Sequence, residues 1–225
     1  MNQKTTKELL KKIQADYNSI ADDFSQTRQS GWKEFQLFLK YIKSNDKLAD
    51  LGCGNGRLLS FIQKHRKIQY IGIDNSQNLL KEAKRQFPKA KFIEGNLLKL
   101  PLKNQSYDVA TSIASFHHIP SEKLRNKALK EMHRIIKKNG ILILTNWNLF
   151  QPKYKKYIWQ ARLRYIYSFG KYHSRDTFIP WSKTGIKRYY HAFTIKELRK
   201  LLKKNGFEII SEHIANNYTH ICRKS

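Results

Sequence analysis

Apolar positions along this chain fall into two kinds of run. Between residues 5 and 24, Leu9, Leu10, Ile13, Tyr17, Ile20 and Phe24 recur at helical spacing and predict an amphipathic helix. The segment FSQTRQSGW, 24–32, interrupts that pattern with Ser, Thr and Gly. A second amphipathic stretch, WKEFQLFLKYIK, follows it. Then come short apolar runs: KLADLG (47–52), QYIGID (69–74), KFIEG (91–95), YDVATSIASF (107–116) and GILILTNW (140–147). Each is bounded by Gly, Asp, Asn or Pro, as strand ends are. Helical patterns occupy 56–66, 76–87 and 121–138 between them. Strand alternating with helix predicts an α/β fold on a mostly parallel sheet with right-handed crossovers.

The rhythm breaks over 148–191, which carries little periodicity but many aromatics and cations. TIKELRKLLKKNG (194–206) then predicts a helix with Thr194 as N-cap, Glu197 three residues on, and Gly206 as the stop. Two final apolar runs, FEIISEHI and YTHICRK, flank Ala-Asn-Asn and predict an antiparallel C-terminal hairpin at the sheet edge.

At 225 residues the chain suits a single domain that buries a core without staples. We expect one domain over 1–225, with an N-terminal helical extension over about 1–45 and a basic aromatic insertion over about 148–191. Cys53 and Cys222 make neither a disulfide framework nor a zinc site, so no metal is expected and the chain reads as intracellular. MNQKTTKELLKK lacks the apolar centre of a secretory signal, and ILIL at 141–144 is far short of a membrane span.

Charge changes the picture. Lys and Arg number 44 against 17 Asp and Glu, a net +27. That excess points to a polyanionic partner, nucleic acid before membrane. Because Arg accounts for 12 of the 44, the rest being Lys, compositional bias is a second reading of the same excess. The stretch 151–191 is more specific: 10 cations less 1 acid gives +9, beside 11 aromatics. Cations track a phosphate backbone and aromatics stack on unpaired bases, whereas a lid with its rings turned inward has the same composition.

The first strand ends in Asp50-Leu51-Gly52-Cys53-Gly54-Asn55-Gly56, directly before a helix. Glycines there let the backbone approach a ligand, though a tight turn alone also asks for them. The spacing is neither G-x-G-x-x-G nor a phosphate loop with G-K-[ST]. Asp74 ends the second strand, where a carboxylate can accept two ribose hydroxyls.

DLGCGNG, Asp74 and the closing hairpin together resemble class I S-adenosylmethionine-dependent methyltransferases over roughly 45–147 and 194–223. That resemblance implies a three-layer, Rossmann-like sheet, S-adenosyl-L-methionine as cofactor and a methyl transfer that needs no metal. It places Asp50 and the backbone at Gly52 and Gly54 by the methionine end, and Asp74 on the ribose. Adenine is implied near Asn96 and Leu97, with Ile113 and Ala114 close by; the family often has Asp where Asn96 stands.

A narrower set of motifs resembles the eukaryotic tRNA methyltransferases that esterify 5-carboxymethyluridine at the wobble position. These are FSQTR (24–28), SIASFHHI (112–119), IPWSKTG (179–185) and RYYHAFTIKELRKLL (188–202). The implied partner is the tRNA anticodon loop, the implied location the cytoplasm, and the family works with a small zinc-binding activator subunit. A carboxylate is ionised at neutral pH and needs no strong base, so catalysis reduces to positioning and water exclusion. Arg28 and Arg188, each inside a resembling motif, are the candidate carboxylate clamps. His117 and His118 follow the fourth strand, where this fold presents residues to substrate. Tyr189, Tyr190 and His191 are candidates for base stacking, with core roles for Tyr190 and Phe193 as the rival. Trp32 and Trp181 are candidate platforms. Two other functions stay open: a small-molecule O- or N-methyltransferase, and a non-catalytic RNA-binding relative.

Overall fold

Three helices precede the sheet: α1 (Gln3–Ser19), α2 (Ala21–Thr27) and the single turn α3 (Phe35–Phe38). Then β1 (Lys47–Leu51), α4 (Arg57–Ile62), β2 (Gln69–Asp74), α5 (Gln77–Gln86) and β3 (Lys91–Glu94) follow in alternation. Next come β4 (Tyr107–Ile113), a 3-10 turn at Phe116–His118, α6 (Glu122–Ile135) and β5 (Ile136–Trp147). The stretch without clear periodicity holds α7 (Lys155–Tyr167) and the strands β6 (Asp176–Pro180) and β7 (Lys187–His191). The chain closes with α8 (Ile195–Lys204), β8 (Phe207–Ile214) and β9 (Asn217–Lys224). This computed structural model describes residues 1–28, 31–181 and 184–225. Gln29 and Ser30 of the interrupting segment, and Ser182 and Lys183 of IPWSKTG, lie outside the described residues.

Seven strands form one sheet in the order β3-β2-β1-β4-β5-β9-β8, while β6 and β7 pair separately. Contacts among β1 to β5 are parallel, and β9 runs antiparallel to both β5 and β8. One face packs Leu142 and Leu144 against Leu129 and Met132 of α6 and Leu198 and Leu202 of α8. The other packs Val109 and Ile143 against Phe35, Phe38 and Ile42, and against Leu58 and Ile62 of α4. These side chains are almost wholly buried, and each contributes about 1.5–3 kcal/mol of burial. The result is the expected three-layer, mostly parallel, Rossmann-like sheet with an antiparallel hairpin at its end.

Caps fall where local chemistry places them. The Ser76 and Thr194 side chains accept the amides of Leu79 and Glu197, and Gly206 has φ +79 just past α8. Differences have local causes. The first amphipathic stretch is two helices, because Asp22 and Asp23 make a favourable new N-terminus after Ile20. The second is mostly turns around α3, whose Phe35 and Phe38 are buried against the sheet. α7 was hidden from periodicity because it carries no apolar stripe: Ile158 and Ala161 are its buried residues.

A buried ionic cluster ties β6, β7 and α8 together. Asp176 Oδ1 accepts the Tyr189 hydroxyl and His191 Nδ1, each at 2.8 Å, while Oδ2 accepts the His173 amide at 2.8 Å. His191 Nε2 reaches Glu197 Oε1 at 3.0 Å, and Glu197 also pairs with Arg125 and Arg175. Burial alone would raise the Asp176 and Glu197 carboxyls, yet both are lowered, chiefly by the His191 hydrogen bond and charge. A depressed carboxyl stabilises the fold above its unfolded pKa and loses that contribution as pH falls through the folded value. Asp176→Ala is therefore expected to cost about 3–5 kcal/mol in urea unfolding at pH 7. The gap between variant and wild type should shrink below about pH 4, where the unfolded carboxyl protonates.

Candidate functional site

The C-terminal ends of β1, β2 and β4 open onto a cavity of about 510 Å³. It sits where the strand order reverses between β1 and β4, the place this architecture leaves open for ligands. Gly52, at φ +80, could carry no side chain: a Cβ would lie 2.0 Å from Ser115 Oγ. Gly54, at φ +55, turns its amide onto Asp74 Oδ2 at 2.8 Å, and Ser76 donates to Oδ1 at 2.9 Å. Burial raises the Asp74 carboxyl, and these backbone donors oppose it. Asp50 accepts Thr111 Oγ1 at 2.8 Å and the Tyr70 hydroxyl at 2.9 Å. Burial pushes its pKa up to about 6 despite those two bonds.

Asn96, Leu97, Ile113 and Ala114 line the same cavity. Asn96 Oδ1 accepts the Leu98 amide at 2.9 Å, which leaves its NH2 group as the donor available to a ligand. Helix α1 closes the remaining side. Its Gln14 donates to the Asn75 carbonyl at 2.8 Å, beside Asp74, and Tyr17 projects into the cavity. Pattern reading placed Tyr17 on an apolar face; its polar tip was the one available clue.

At the far end lie Arg28, His117, His118, Trp147, Arg188 and Tyr190. Arg188 is 5% exposed, and among the described residues its guanidinium forms no ion pair. Four aromatic rings surround it, Trp181 at 4.6 Å, Tyr190 at 5.2 Å, Trp147 at 5.8 Å and Tyr17 at 6.0 Å from Cζ. Such rings offset part of the cost of burying the cation. Arg28 is half-buried and lies over the same Trp181 ring at 5.2 Å. His118 Nδ1 faces the Tyr189 carbonyl at 2.7 Å and so carries the proton; Nε2 accepts the Tyr17 hydroxyl at 2.7 Å. Burial drives the His118 pKa down to about 3, so the ring is neutral.

Three expected substrate-binding residues are corrected. Tyr189 and His191 do not reach the cavity. Successive side chains of β7 point to opposite faces, so Arg188 and Tyr190 face the cavity while Tyr189 and His191 enter the Asp176 cluster. Trp181 offers no free face either: it is 5% exposed, stacks on Phe24 at 6.0 Å, carries both arginines and donates its indole N–H to Asp23. Trp32 does line the cavity, with Arg57 over its ring at 4.7 Å. Burial, reinforced by the charge of Arg28 and opposed by Asp50, lowers the Arg57 pKa to about 10.

The donor set fits a nucleoside carrying a cationic amino-acid tail. Asp74 keeps lone pairs for vicinal hydroxyls beyond the backbone amides it accepts, and Asp50 is a buried acid that gains from a cation beside it. Among the described residues no cluster of His, Cys, Asp and Glu is placed to hold a metal, and no helix is long and apolar enough to cross a membrane.

Comparison with known proteins agrees. A family model described as a methyltransferase domain matches residues 49–144. A solved S-adenosylmethionine-dependent methyltransferase from Methanosarcina mazei superposes with a TM-score of 0.71 at 24% identity, over 84% of this chain and 96% of that one. A chain from a complex of the Trm112 methyltransferase activator with a methyltransferase, from Haloferax volcanii, superposes at 0.70 with 16% identity, over 94% and 97%. The chain carries a methyltransferase domain and is an S-adenosylmethionine-dependent methyltransferase, with S-adenosylmethionine as its cofactor.

Within that class its relatives are particular. The tRNA (carboxymethyluridine(34)-5-O)-methyltransferase of Schizosaccharomyces pombe is 29% identical over 208 residues, 88% of each chain. The Mus musculus protein of the same activity name, ALKBH8, is 36% identical over 136 residues, 60% of this chain; the match spans 20% of the mouse protein. This chain resembles that family.

Asp50 supplies a prediction. Its ionised form attracts a cationic ligand, so S-adenosylmethionine affinity by calorimetry should be flat above about pH 6 and weaken below it. The limiting slope is about tenfold per pH unit, and Asp50→Asn should flatten it and lower affinity at pH 8.

Proposed function

We propose that this chain methylates the carboxylate of a carboxymethyl-type group on a wobble uridine in tRNA, forming the methyl ester. The observation that carries the reading is Arg188: a buried guanidinium at the cavity's far end with no acidic partner among the described residues. A buried cation of that kind is complemented by an anionic ligand, and a carboxylate fits the planar guanidinium bidentately. The named activity of the S. pombe and mouse relatives agrees with it.

The cofactor supplies an electrophilic methyl group on a sulfonium. The chain's own residues then hold and orient. Asp50, Gly52, Gly54 and Asp74 seat the methionine and ribose parts; Asn96, Leu97 and Ile113 flank adenine. Arg188 holds the acid, and Arg28, less buried on the same Trp181 ring, is positioned to meet the substrate as it enters. The aromatic wall excludes water, so the carboxylate loses competing solvation at the reacting end.

RNA docking is assigned to α7 and its surroundings, in the insertion over about 148–191. Trp159, Ile166 and Tyr167 of α7 are 62%, 64% and 78% exposed, on the same helix as Lys155, Lys156 and Arg162, and Phe169 just past its end is 100% exposed. Exposed rings among cations suit unpaired bases on a phosphate backbone. A small activator subunit of the Trm112 kind and a cytoplasmic site of action complete the proposal; the H. volcanii complex shows one neighbour of this fold with such a partner.

Nucleoside mass spectrometry of tRNA, from cells with and without the protein, tests the reading. The wobble methyl ester should disappear and its free acid accumulate; an unchanged ester level defeats it. Arg188→Ala should lower esterification at least 100-fold while S-adenosylmethionine still binds, as expected when a charged hydrogen-bonded pair is lost. A Lys155→Ala, Lys156→Ala, Arg162→Ala variant should bind tRNA more weakly. Its log–log salt slope should be smaller by about 2–3.

A further inference from the structure

Buried polar atoms without a partner are costly and therefore rare. Among the described residues, three of them gather at one end of the cavity: His117 Nε2, Arg188 Nε and the Tyr190 hydroxyl. Their side chains are 1%, 5% and 0% exposed. We infer that these three groups form a preformed receptacle of donors for the carboxylate that accepts the methyl group, with His117 acting as a neutral N–H donor and not as a base. The inference rests on the carboxylate reading proposed above.

The tautomer of His117 is set by the backbone. The Trp147 amide donates to His117 Nδ1 at 3.2 Å, so Nδ1 is the acceptor and the ring proton sits on Nε2. Burial drives the ring's pKa well below the usual value; the charges of His118 and Arg188 add to this and the Ala114 carbonyl opposes it. A lone pair occupied by an amide cannot take a proton from substrate. Nε2–H, with no acceptor, can only give a hydrogen bond.

Tyr190 is held beside it. Its ring stacks on Trp147 at 5.1 Å and 21°, and its centroid is 5.1 Å from that of His117. Burial, reinforced by the neighbouring Tyr17 hydroxyl, keeps it a phenol and hence a donor. The Tyr17 hydroxyl, already directed at His118, accepts Arg188 Nη1 at 3.4 Å and steadies the guanidinium. The cavity end thus presents donors and no free carboxylate. A carboxylate satisfies all three. A carboxamide brings two N–H groups of its own against them, and a methyl ester has lost the charge. The receptacle therefore selects the acid over the amide and releases the product in favour of fresh substrate.

The test uses the full chain, with its activator subunit where activity requires one, and anticodon stem-loop RNA carrying 5-carboxymethyluridine or 5-carbamoylmethyluridine. His117→Leu and Tyr190→Phe should each raise KM for the acid RNA about tenfold or more. Both should bring the affinities for acid and amide RNA closer, with S-adenosylmethionine binding unchanged as the check on folding. His117→Gln, which keeps an N–H donor but no basic nitrogen, should recover part of the loss. If His117→Gln falls with His117→Leu in kcat while KM stays put, His117 is a base and the inference fails. It fails equally if Tyr190→Phe leaves KM and discrimination untouched. Should the wild type leave acid RNA unmethylated, the carboxylate function is what has failed. The receptacle is then read directly: acetate added to the S-adenosylhomocysteine-loaded protein should shift the His117 Nε2–H resonance, and no shift overturns it.

Discussion

The substrate side of this molecule depends on the register of one short strand. β7 places Arg188 and Tyr190 on the cavity face and Tyr189 and His191 on the opposite face. A slip by one residue would exchange those sets and turn the guanidinium away from the cavity. The opposite face resists such a slip. Asp176 takes both the Tyr189 hydroxyl and His191 Nδ1, and Glu197 on α8 takes His191 Nε2. Hydrogen bonds to carboxylates at both ring nitrogens fix His191 along and across the strand. A buried ionic cluster is a weak source of net stability but a strong source of uniqueness in cases where it sets register. Here it separates a structural half of RYYH from a half that faces the cavity.

That separation also explains what the sequence could and could not disclose. The parallel sheet was legible because each strand is a short apolar run with its own punctuation, and the glycine turn because DLGCGNG needs positive φ at Gly52 and Gly54. Asp50, Asp74, Asn96, Leu97 and Ile113 all reached the cavity from motif position alone. RYYH was legible as a motif but not as a strand, so period-two sorting was not applied to it, and Tyr189 and His191 were assigned with Tyr190. Trp181 stood in a motif too, yet its contacts come from Phe24, Arg28 and Arg188, which are remote in sequence. Tyr17 read as one more apolar position on α1. Its hydroxyl meets His118, 101 residues away, and no local pattern carries that information.

The positive charge divides by position and burial. Most of the cations behind the +27 are Lys spread over helices, strands and loops, where each charge adds to a long-range field that salt screens. Such a field draws in a polyanion without reading it. Arg188 works differently. Removed from water and boxed by rings, it is screened little, and its geometry favours a planar two-oxygen anion. In the proposed function the outer cations would concentrate RNA at the surface, and the one inner cation would select a functional group on a base. The aromatics divide in the same way: Tyr167 and Phe169 lie open, while Trp147 and Tyr190 stack inside.

The protonation pattern of the two histidines bears on the rival small-molecule reading. An alcohol or ammonium acceptor must lose a proton before or during methyl transfer, so its enzyme needs a base near the acceptor. Here the His117 Nδ1 lone pair is occupied by the Trp147 amide, and the His118 Nε2 lone pair by the Tyr17 hydroxyl. Asp50 and Asp74 line the cavity beside the glycine turn, away from Arg188, and Arg188 would repel a second cation rather than hold an ammonium. A carboxylate has no such requirement: ionised well below neutral pH, it is already the nucleophile. What it needs is a fixed direction of attack and a dry place to make it. Donors without acceptors, a buried guanidinium and a wall of rings supply those two things and no proton acceptor. The proposed ester formation asks of this cavity only the alkylation of an anion.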